Sequence, residues 1–358
     1  MRTCCYTSFT YSYLSRARVL LQTLRSAQPD WTACAVIVDL PPPGATGEEL
    51  LAGFDQVLNL DDLGIPRVRS WLFKHDIVEA CTAVKGAALL RLLAEYDRVI
   101  YLDPDVAMFG PLDPALDSLA DASVLLTPHQ TTPNRRLAAV RDNEAASLRY
   151  GVFNLGFLSV RADADGLAFA GWWAEQLHHA CYDEPGNGLF TDQKYMDLAP
   201  CLFPGVGILR DPGCNVASWN ISTRQVRIDQ DGAITVNGAP LRFCHFTKVG
   251  GVGDVMLDRY AGDNIEALEI WAWYRRQLAH QPPPIPPGWW AYGSFGNGVV
   301  VTDAMRHLFR RRPDLMAAFD DPLFTDGEGY FTWLGREHPD MLPLPPSSPA
   351  IPAATAAS

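Results

Sequence analysis

The sequence predicts an α/β fold organised on a mostly parallel sheet. Two observations carry this reading: short β-type runs alternate with helical patterns through the first hundred residues, and an apolar run, Arg98-Val-Ile-Tyr-Leu102, passes directly into Asp103-Pro104-Asp105. Arg2–Ser8 reads as the first strand. Tyr13–Ala27 reads as a helix with Leu14, Val19, Leu20 and Leu24 on its buried side. Cys34–Asp39 is a second strand stopped by Pro41-Pro42-Pro43-Gly44, Val57–Leu60 a third, and Ala83–Ala94 a helix rich in Leu and Ala. In such sheets ligands sit beyond the carboxyl ends of the strands. Thr7 and Ser8 occupy that edge after the first strand, and Asp103 and Asp105 occupy it after Leu102.

The second half is less regular. Phe153–Val160 reads as a strand and Ala168–Ala180 as an amphipathic helix. Thr191-Asp192-Gln193 opens another helix, with Thr191 or Asp192 as its N-cap. Val226–Ile228, Ile234–Val236 and Leu241–Phe246 are expected to form one small β segment, with turns at Gln230-Asp231-Gly232 and Asn237-Gly238. Asp263–His280 reads as a long helix. Pro282 to Pro287 reads as an extended linker, and Asp303–Arg312 as one helix beyond it. The organisation expected is a catalytic domain over 1–281 (halves 1–127 and 128–281), a linker with a small helical extension over 282–340, and a disordered tail over 341–358, whose Pro, Ser and Ala content offers little to bury.

Composition narrows the function. With 358 residues the chain is long enough for a sizeable core, and its 29 basic against 41 acidic residues give a net charge of −12. That balance argues against a nucleic-acid binder and against an anionic-membrane binder, but leaves room for a local phosphate pocket. No run approaches the roughly 18 apolar residues of a membrane span. The N-terminus has hydroxyls and arginines where a signal peptide would be apolar, so a cytoplasmic location is expected. The eight cysteines lack CxxC spacing, and most read as small buried hydrophobes, Cys4 and Cys5 in particular, rather than as a zinc site.

Asp103-Pro104-Asp105 is the most informative motif. Two carboxylates two residues apart at a strand end can converge on one hard cation, Mg²⁺ or Mn²⁺. Asp-Pro-Asp is also ordinary turn chemistry. A phosphatase-type use of the two acids fits poorly, because about a hundred residues precede them and Ala107 stands where a hydroxyl or Val is usual.

Together, CCYTSFTYSY, VKGAALLRLL, VIYLDPDV, FNLGFLSV, TDQKYMD and HFTK give the chain a wider likeness over residues 4–248. It resembles nucleotide-sugar glycosyltransferases of the GT-A fold, most closely the retaining enzymes of family 8, of the glycogenin and lipopolysaccharide galactosyltransferase type. The resemblance implies a Rossmann-like nucleotide-diphospho-sugar transferase fold with a small C-terminal extension. It implies a divalent cation, Mn²⁺ or Mg²⁺, on Asp103, Asp105 and His245, with Lys248 against the donor pyrophosphate. The family's Lys-Pro-Trp is absent, and Lys248 is followed instead by Val-Gly-Gly-Val-Gly, a flap or a plain loop.

The resemblance further puts Asn154 on sugar hydroxyls, or on a buried backbone group. It makes Asp192 an acceptor for donor-sugar hydroxyls, or a helix cap, and sets Gln193 beside the anomeric carbon. It gives Thr7, Ser8 and Tyr13 to the nucleoside, with Tyr11 or Tyr13 stacking on the base or joining the core. Asp39, after the second strand, is available to ribose or base. Lys85 stands one residue from the family's donor-binding Arg, and Asp211 and Asn215 bind acceptor or sugar, or shape their loop. The activity implied is transfer of a sugar from a nucleoside diphosphate sugar, a UDP-sugar favoured, to a glycan, glycolipid or protein acceptor. The alternatives are a sugar nucleotidylyltransferase, whose Gly-rich loop CCYTSFTYSY lacks, and a catalytically silent sugar-nucleotide-binding protein.

Overall fold

The computed structural model describes residues 1–117, 120–281, 285–286 and 288–343, and the chain divides into two compact units. The first comprises Met1–Pro66 and Ile77–Ala291; the second takes Arg67–Asp76 together with the chain from Tyr292 onward.

The strands that organise the first unit are β1 (Thr3–Phe9), β2 (Thr32–Ile37), β3 (Gln56–Asn59), β4 (Arg98–Leu102), β5 (Val106–Met108), β6 (Val124–Pro128), β7 (Phe153–Arg161), β8 (Val206–Ile208) and β9 (Phe243–His245). Seven of them form one sheet in the order β8-β6-β7-β4-β1-β2-β3. β1, β2, β3 and β4 are mutually parallel, whereas β7 runs antiparallel to both β4 and β6. The α/β class with a mostly parallel sheet is therefore the observed one. β1 is buried along its whole length, as is expected of a central strand covered on both faces.

Three helices matter for the site: α1 (Leu14–Ala27), α2 (Ile77–Leu93) and α3 (Ala164–Ala180). α2 buries Ala80, Ala83, Val84, Gly86, Ala88, Leu89 and Leu92. Its small residues let α3 come very close, so that a Cβ added at Gly86 would lie 2.6 Å from Ala174 Cα. That approach holds α2 against the sheet and fixes where Lys85 projects.

Several elements depart from the sequence expectations, and one departure decides the site. Phe243–His245 does not join the strands Val226–Ile228 and Ile234–Val236. It pairs antiparallel with β5, His245 opposite Val106, and Ala239–Pro240 takes the third place in the small sheet. Neither Thr191 nor Asp192 caps a helix; Gln193 precedes a short 3₁₀ turn, Lys194–Asp197, that has no side-chain cap. The long helix is Ile265–Ala279, preceded by a separate helix, Val252–Tyr260, that begins at the end of the glycine stretch, whose residues 249–251 form a turn. Cys4 and Cys5 are buried apolar residues as expected.

The second unit gathers Val68–Phe73, Asp303–Arg310, Pro313–Ala318 and Tyr330–Glu337 around Phe73, Met305, Phe309, Leu315, Tyr330 and Leu334. Phe73 packs edge-on to both Phe309 and Tyr330. Met341 and Leu342 also lie against this core, so packed structure continues past 340. Of the linker read over 282–287, residues 282–284 and 287 lie outside the described residues, as do 344–358 of the tail. Ile285 is buried in the first unit, in a cluster with Phe9, Tyr11 and Ile37.

Gly86→Ala should destabilise the protein by about 1–3 kcal/mol, the usual cost of forcing an extra methyl into a packed contact. Urea unfolding measures this, and an unchanged midpoint would show that α2 and α3 can part at no cost.

Candidate functional site

The strand order switches between β1 and β4, neighbours whose onward connections diverge, and in α/β folds ligands bind beyond the carboxyl edge of the sheet at such a switch. Because β7 runs the other way, its beginning rather than its end reaches that edge. Asp103 N–H donates to Gly156 C=O at 3.0 Å, so Asn154-Leu155-Gly156 lies beside the two acids that follow β4.

The β5–β9 pair brings in the third member. His245 Nε2 stands 3.0 Å from Asp105 Oδ1 and 3.5 Å from Asp103 Oδ2. His245 and Asp105 are buried, and Asp103 keeps about a quarter of its side chain exposed. On its other side, His245 Nδ1 lies 3.0 Å from Asn154 Oδ1. Asn154 Oδ1 can only accept, so Nδ1 carries the proton and Nε2 faces the carboxylates. The imidazole rests on Gly156, where any Cβ would collide with the ring. Burial alone would lower the His245 pKa, but the facing Asp105 and Asp103 carboxylates outweigh it and raise it. Likewise, burial pushes the Asp105 carboxyl up and His245 pulls it below its ordinary range. A bare imidazole nitrogen facing carboxylate oxygens needs a positive charge between them, a proton or a cation. Among the described residues this is the one group of acids, His and Cys whose ligand atoms converge within 4.8 Å. Two carboxylates and an imidazole fit a divalent ion of the Mn²⁺ type, and the Asn154 contact is the kind of outer support that metal-ligating His residues have.

Lys85 sits behind the acids. Its ammonium, 2% exposed, lies 2.8 Å from Asp192 Oδ2 and 3.2 Å from both Asp103 Oδ1 and Leu155 C=O. It also rests 4.1 Å from the centre of the Tyr101 ring. Desolvation would depress its pKa, but the two carboxylates prevail and raise it, so the lysine is a charged tie. Burial raises the Asp192 carboxyl, and Lys85 pulls against that rise. Tyr101 OH donates to Asp103 Oδ1 at 2.6 Å. Asp192 follows Thr191, a buried β-branched residue at φ +44°, strain of the kind that persists only where surroundings enforce it.

Asn154 and Gln193 turn out to be interlocked. Gln193 Oε1 accepts from Leu155 N–H at 3.3 Å and from Asn154 Nδ2 at 3.4 Å, while its Nε2 donates to Tyr150 C=O at 3.0 Å. Asn154 Oδ1 also accepts from Gly156 N–H at 3.2 Å. His129, whose pKa burial lowers to about 4, approaches Asn154 Nδ2 at 3.4 Å, and Trp219 stands edge-on to both His129 and His245.

The nucleoside candidates are split. Ser8 Oγ donates to Cys81 C=O at 2.7 Å, and Thr7 Oγ1 is buried without a hydrogen-bond partner among the described residues. Tyr13 is 41% exposed with the Arg16 guanidinium over its ring, whereas Tyr11 is buried in the core. The Asp39 carboxylate is taken up by the N–H groups of Tyr11, Leu40 and Ala291. Lys248 is exposed, in the left-handed region at φ +54°, on the turn after His245. Asp211 accepts from Gly213 N–H and shapes its turn, and Asn215 is fully buried at φ +56° with no partner for its side-chain amide among the described residues. Sequence reasoning missed Tyr101, His129, Trp219 and Arg16. Only Tyr101 carried a signal, since alternation along β4 puts it on the same face as Asp103.

No family model matches the chain. It is 30% identical over 178 residues to the uncharacterized protein YfnF of Bacillus subtilis strain 168, and 28% identical over 201 residues to YfnD of the same organism. These matches take in 48% and 54% of this chain and span only 57% and 60% of those relatives. Among solved structures it is similar to the galactosyltransferase LgtC, in complex with donor and acceptor sugar analogs, at 17% identity and a TM-score of 0.42, over 80% of this chain and 98% of that one. It is also similar to mouse xyloside xylosyltransferase 1 at 14% identity and a TM-score of 0.38, over 69% and 98%. The function proposed below is carried by the side chains just described.

Asp39 supplies a pH test. Burial raises its carboxyl from the ordinary 3.8 to about 6, against three N–H donors that favour the anion. The folded chain therefore holds this proton more tightly than the unfolded chain. The resulting stabilisation is complete below pH 3.8 and is lost as pH rises through about 6. Asp39→Asn should flatten this part of the stability profile, by no more than about 3 kcal/mol. Identical slopes for parent and variant in urea unfolding between pH 4 and 6.5 would refute it.

Proposed function

We propose that this chain is a metal-dependent glycosyltransferase that moves a sugar from a nucleoside diphosphate sugar, a UDP-sugar favoured, to an acceptor hydroxyl with retention of configuration. The observation that carries it is the convergence of Asp103, Asp105 and His245 at the carboxyl edge of the sheet, braced by Lys85 and Asp192. Mn²⁺ or Mg²⁺ held there would neutralise the departing diphosphate. The three side chains would bind it, with Asn154 presenting the bare Nε2 of His245.

Lys248, a cation on the turn next to His245, would add a mobile point charge on the diphosphate. Asp192 would fix Lys85 and accept from a sugar hydroxyl with its remaining lone pairs. Gln193 would direct an amide dipole at the anomeric carbon, where positive charge develops as the bond to diphosphate breaks. An amide is a poor nucleophile, so attack on the departing side with electrostatic support is the route proposed. Thr7, Ser8 and Tyr13 would line the nucleoside end, where the unpartnered Thr7 hydroxyl can bond the base or ribose. Asp39, with its oxygens engaged by backbone, would shape that end. No helix of the described residues is long and apolar enough to cross a membrane, and the eight cysteines are free, which supports action in the reducing cytoplasm.

Asp105→Ala should abolish Mn²⁺-dependent binding of UDP in calorimetry while the melting temperature stays within a few degrees of the parent. Unchanged affinity in the variant would end the metal assignment.

Gln193→Ala should lower kcat by up to roughly 10²–10³ with little change in KM, because a dipole aimed at developing charge acts mainly on the transition state. Single-turnover kinetics at saturating donor would decide; parental turnover from a folded variant would remove Gln193 from the chemistry.

A further inference from the structure

The first unit holds a cavity of about 490 Å³, lined by segments 132–136, 221–225 and 260–264 together with Ala139 and Asn237. This volume is in the range of small-ligand sites. Its charge is opposite to that of the chain: Arg135, Arg136 and Arg224 line it against a single carboxylate, Asp263, in a protein of net charge −12. Arg135 and Arg136 are exposed, and among the described residues neither guanidinium has an ion-pair partner. Arg224 is 2% exposed. Its Nη1 donates to the C=O groups of both Pro212 and Cys214, neither of which lines the cavity, while its Nε and Nη2 have no hydrogen-bond partner among the described residues. A buried guanidinium left partly unpaired is costly and favours an anion nearby.

The remaining lining groups suit a carbohydrate. Asn134, Ser222, Thr223 and Gln225 supply amides and hydroxyls, and Tyr260 a ring. A run of contacts also leads from the wall toward the candidate metal cluster. Ser222 Oγ donates to Asn134 Oδ1 at 2.6 Å, Asn134 Nδ2 donates to Glu144 Oε1 at 3.2 Å and to Gln130 Oε1 at 3.4 Å, and Gln130 Nε2 donates to Trp219 C=O at 2.8 Å. The Trp219 ring then stands 5.2 Å from that of His245.

We propose that this cavity binds a sugar bearing an oxyanion, phosphate or carboxylate, as the acceptor or its terminal residue. Arg135 and Arg136 would engage the anion, and the amides and hydroxyls the ring oxygens. Its assignment to the acceptor rests on the glycosyltransferase reading; its preference for an anionic sugar does not. Arginine forks match both oxyanions in bidentate geometry, which lysine cannot copy.

The test uses the full chain at low salt, without UDP or metal, and calorimetric titration with glucose 6-phosphate, glucuronate, glucose and inorganic phosphate. Glucose 6-phosphate or glucuronate should bind at least tenfold more tightly than glucose and than inorganic phosphate. The winner identifies which oxyanion is read. Arg135→Ala/Arg136→Ala should melt like the parent and weaken that binding at least tenfold, and the double Lys variant should recover only part of it. No binding by the parent, equal binding of glucose, inorganic phosphate as tight as the sugar phosphate, or an unaffected double variant would each overturn the proposal. UDP binding with Mn²⁺, measured separately on the parent, addresses the donor site. Its failure alongside intact glucose 6-phosphate binding would remove the word acceptor and leave the anionic-sugar site standing.

Discussion

A lysine ammonium removed from water must be neutralised where it stands, and in this protein nearly everything at the site is arranged around that requirement. Lys85 reaches from the middle of α2 to acids on two separate segments, Asp103 after β4 and Asp192 after the strained Thr191, and to the Leu155 carbonyl at the start of β7. Removing one partner of such a buried set usually costs several kcal/mol, because the other charge is left uncompensated. The tie therefore sets the relative positions of a helix, a parallel strand end, an antiparallel strand start and a loop. It also occupies Asp103 Oδ1, so that only Oδ2 turns toward His245.

The second determinant is direction. In a wholly parallel sheet the residues that begin a strand lie at the opposite edge from those that end its neighbours. Reversing β7 brings Asn154 and Gly156 to the edge where Asp103 emerges, and the short β5–β9 pair delivers His245 to the same place from far along the chain. Gly156 leaves room for the imidazole and Asn154 fixes its tautomer. Strand direction thus does as much for the chemistry as the identity of the acids.

What could be read from sequence follows from range. Arg98–Leu102 and the acids behind it were legible because burial, alternation and the following turn are all local. The helix around Lys85 was legible from its Leu and Ala content, but the double pairing of Lys85 was not, since its partners lie 18 and 107 positions away. Residues 243–245 pattern equally well as a third strand of the small sheet and as a partner for 106–108. Only three-dimensional pairing chooses, and with it the position of His245. The resemblance alone made Gln193 and Asn154 contacts of the donor sugar. In the fold their amides bond mainly to one another and to backbone, so any sugar contact must share them. Trp219 and His129 had no spacing signal at all, because loops far apart in the chain bring them together.

The second unit carries a consequence for the order of events at synthesis. Its central aromatic, Phe73, is made early, whereas the rings that cover it, Phe295, Phe309 and Tyr330, come more than two hundred residues later. At about 5–20 residues per second the ribosome needs on the order of ten to fifty seconds to supply them. Throughout that interval Phe73 stands without the rings that will pack on it. The nascent chain therefore holds Phe73 available to whatever binds unfolded segments, and cutting the finished protein at Ala291 would remove all three of the rings that pack on it.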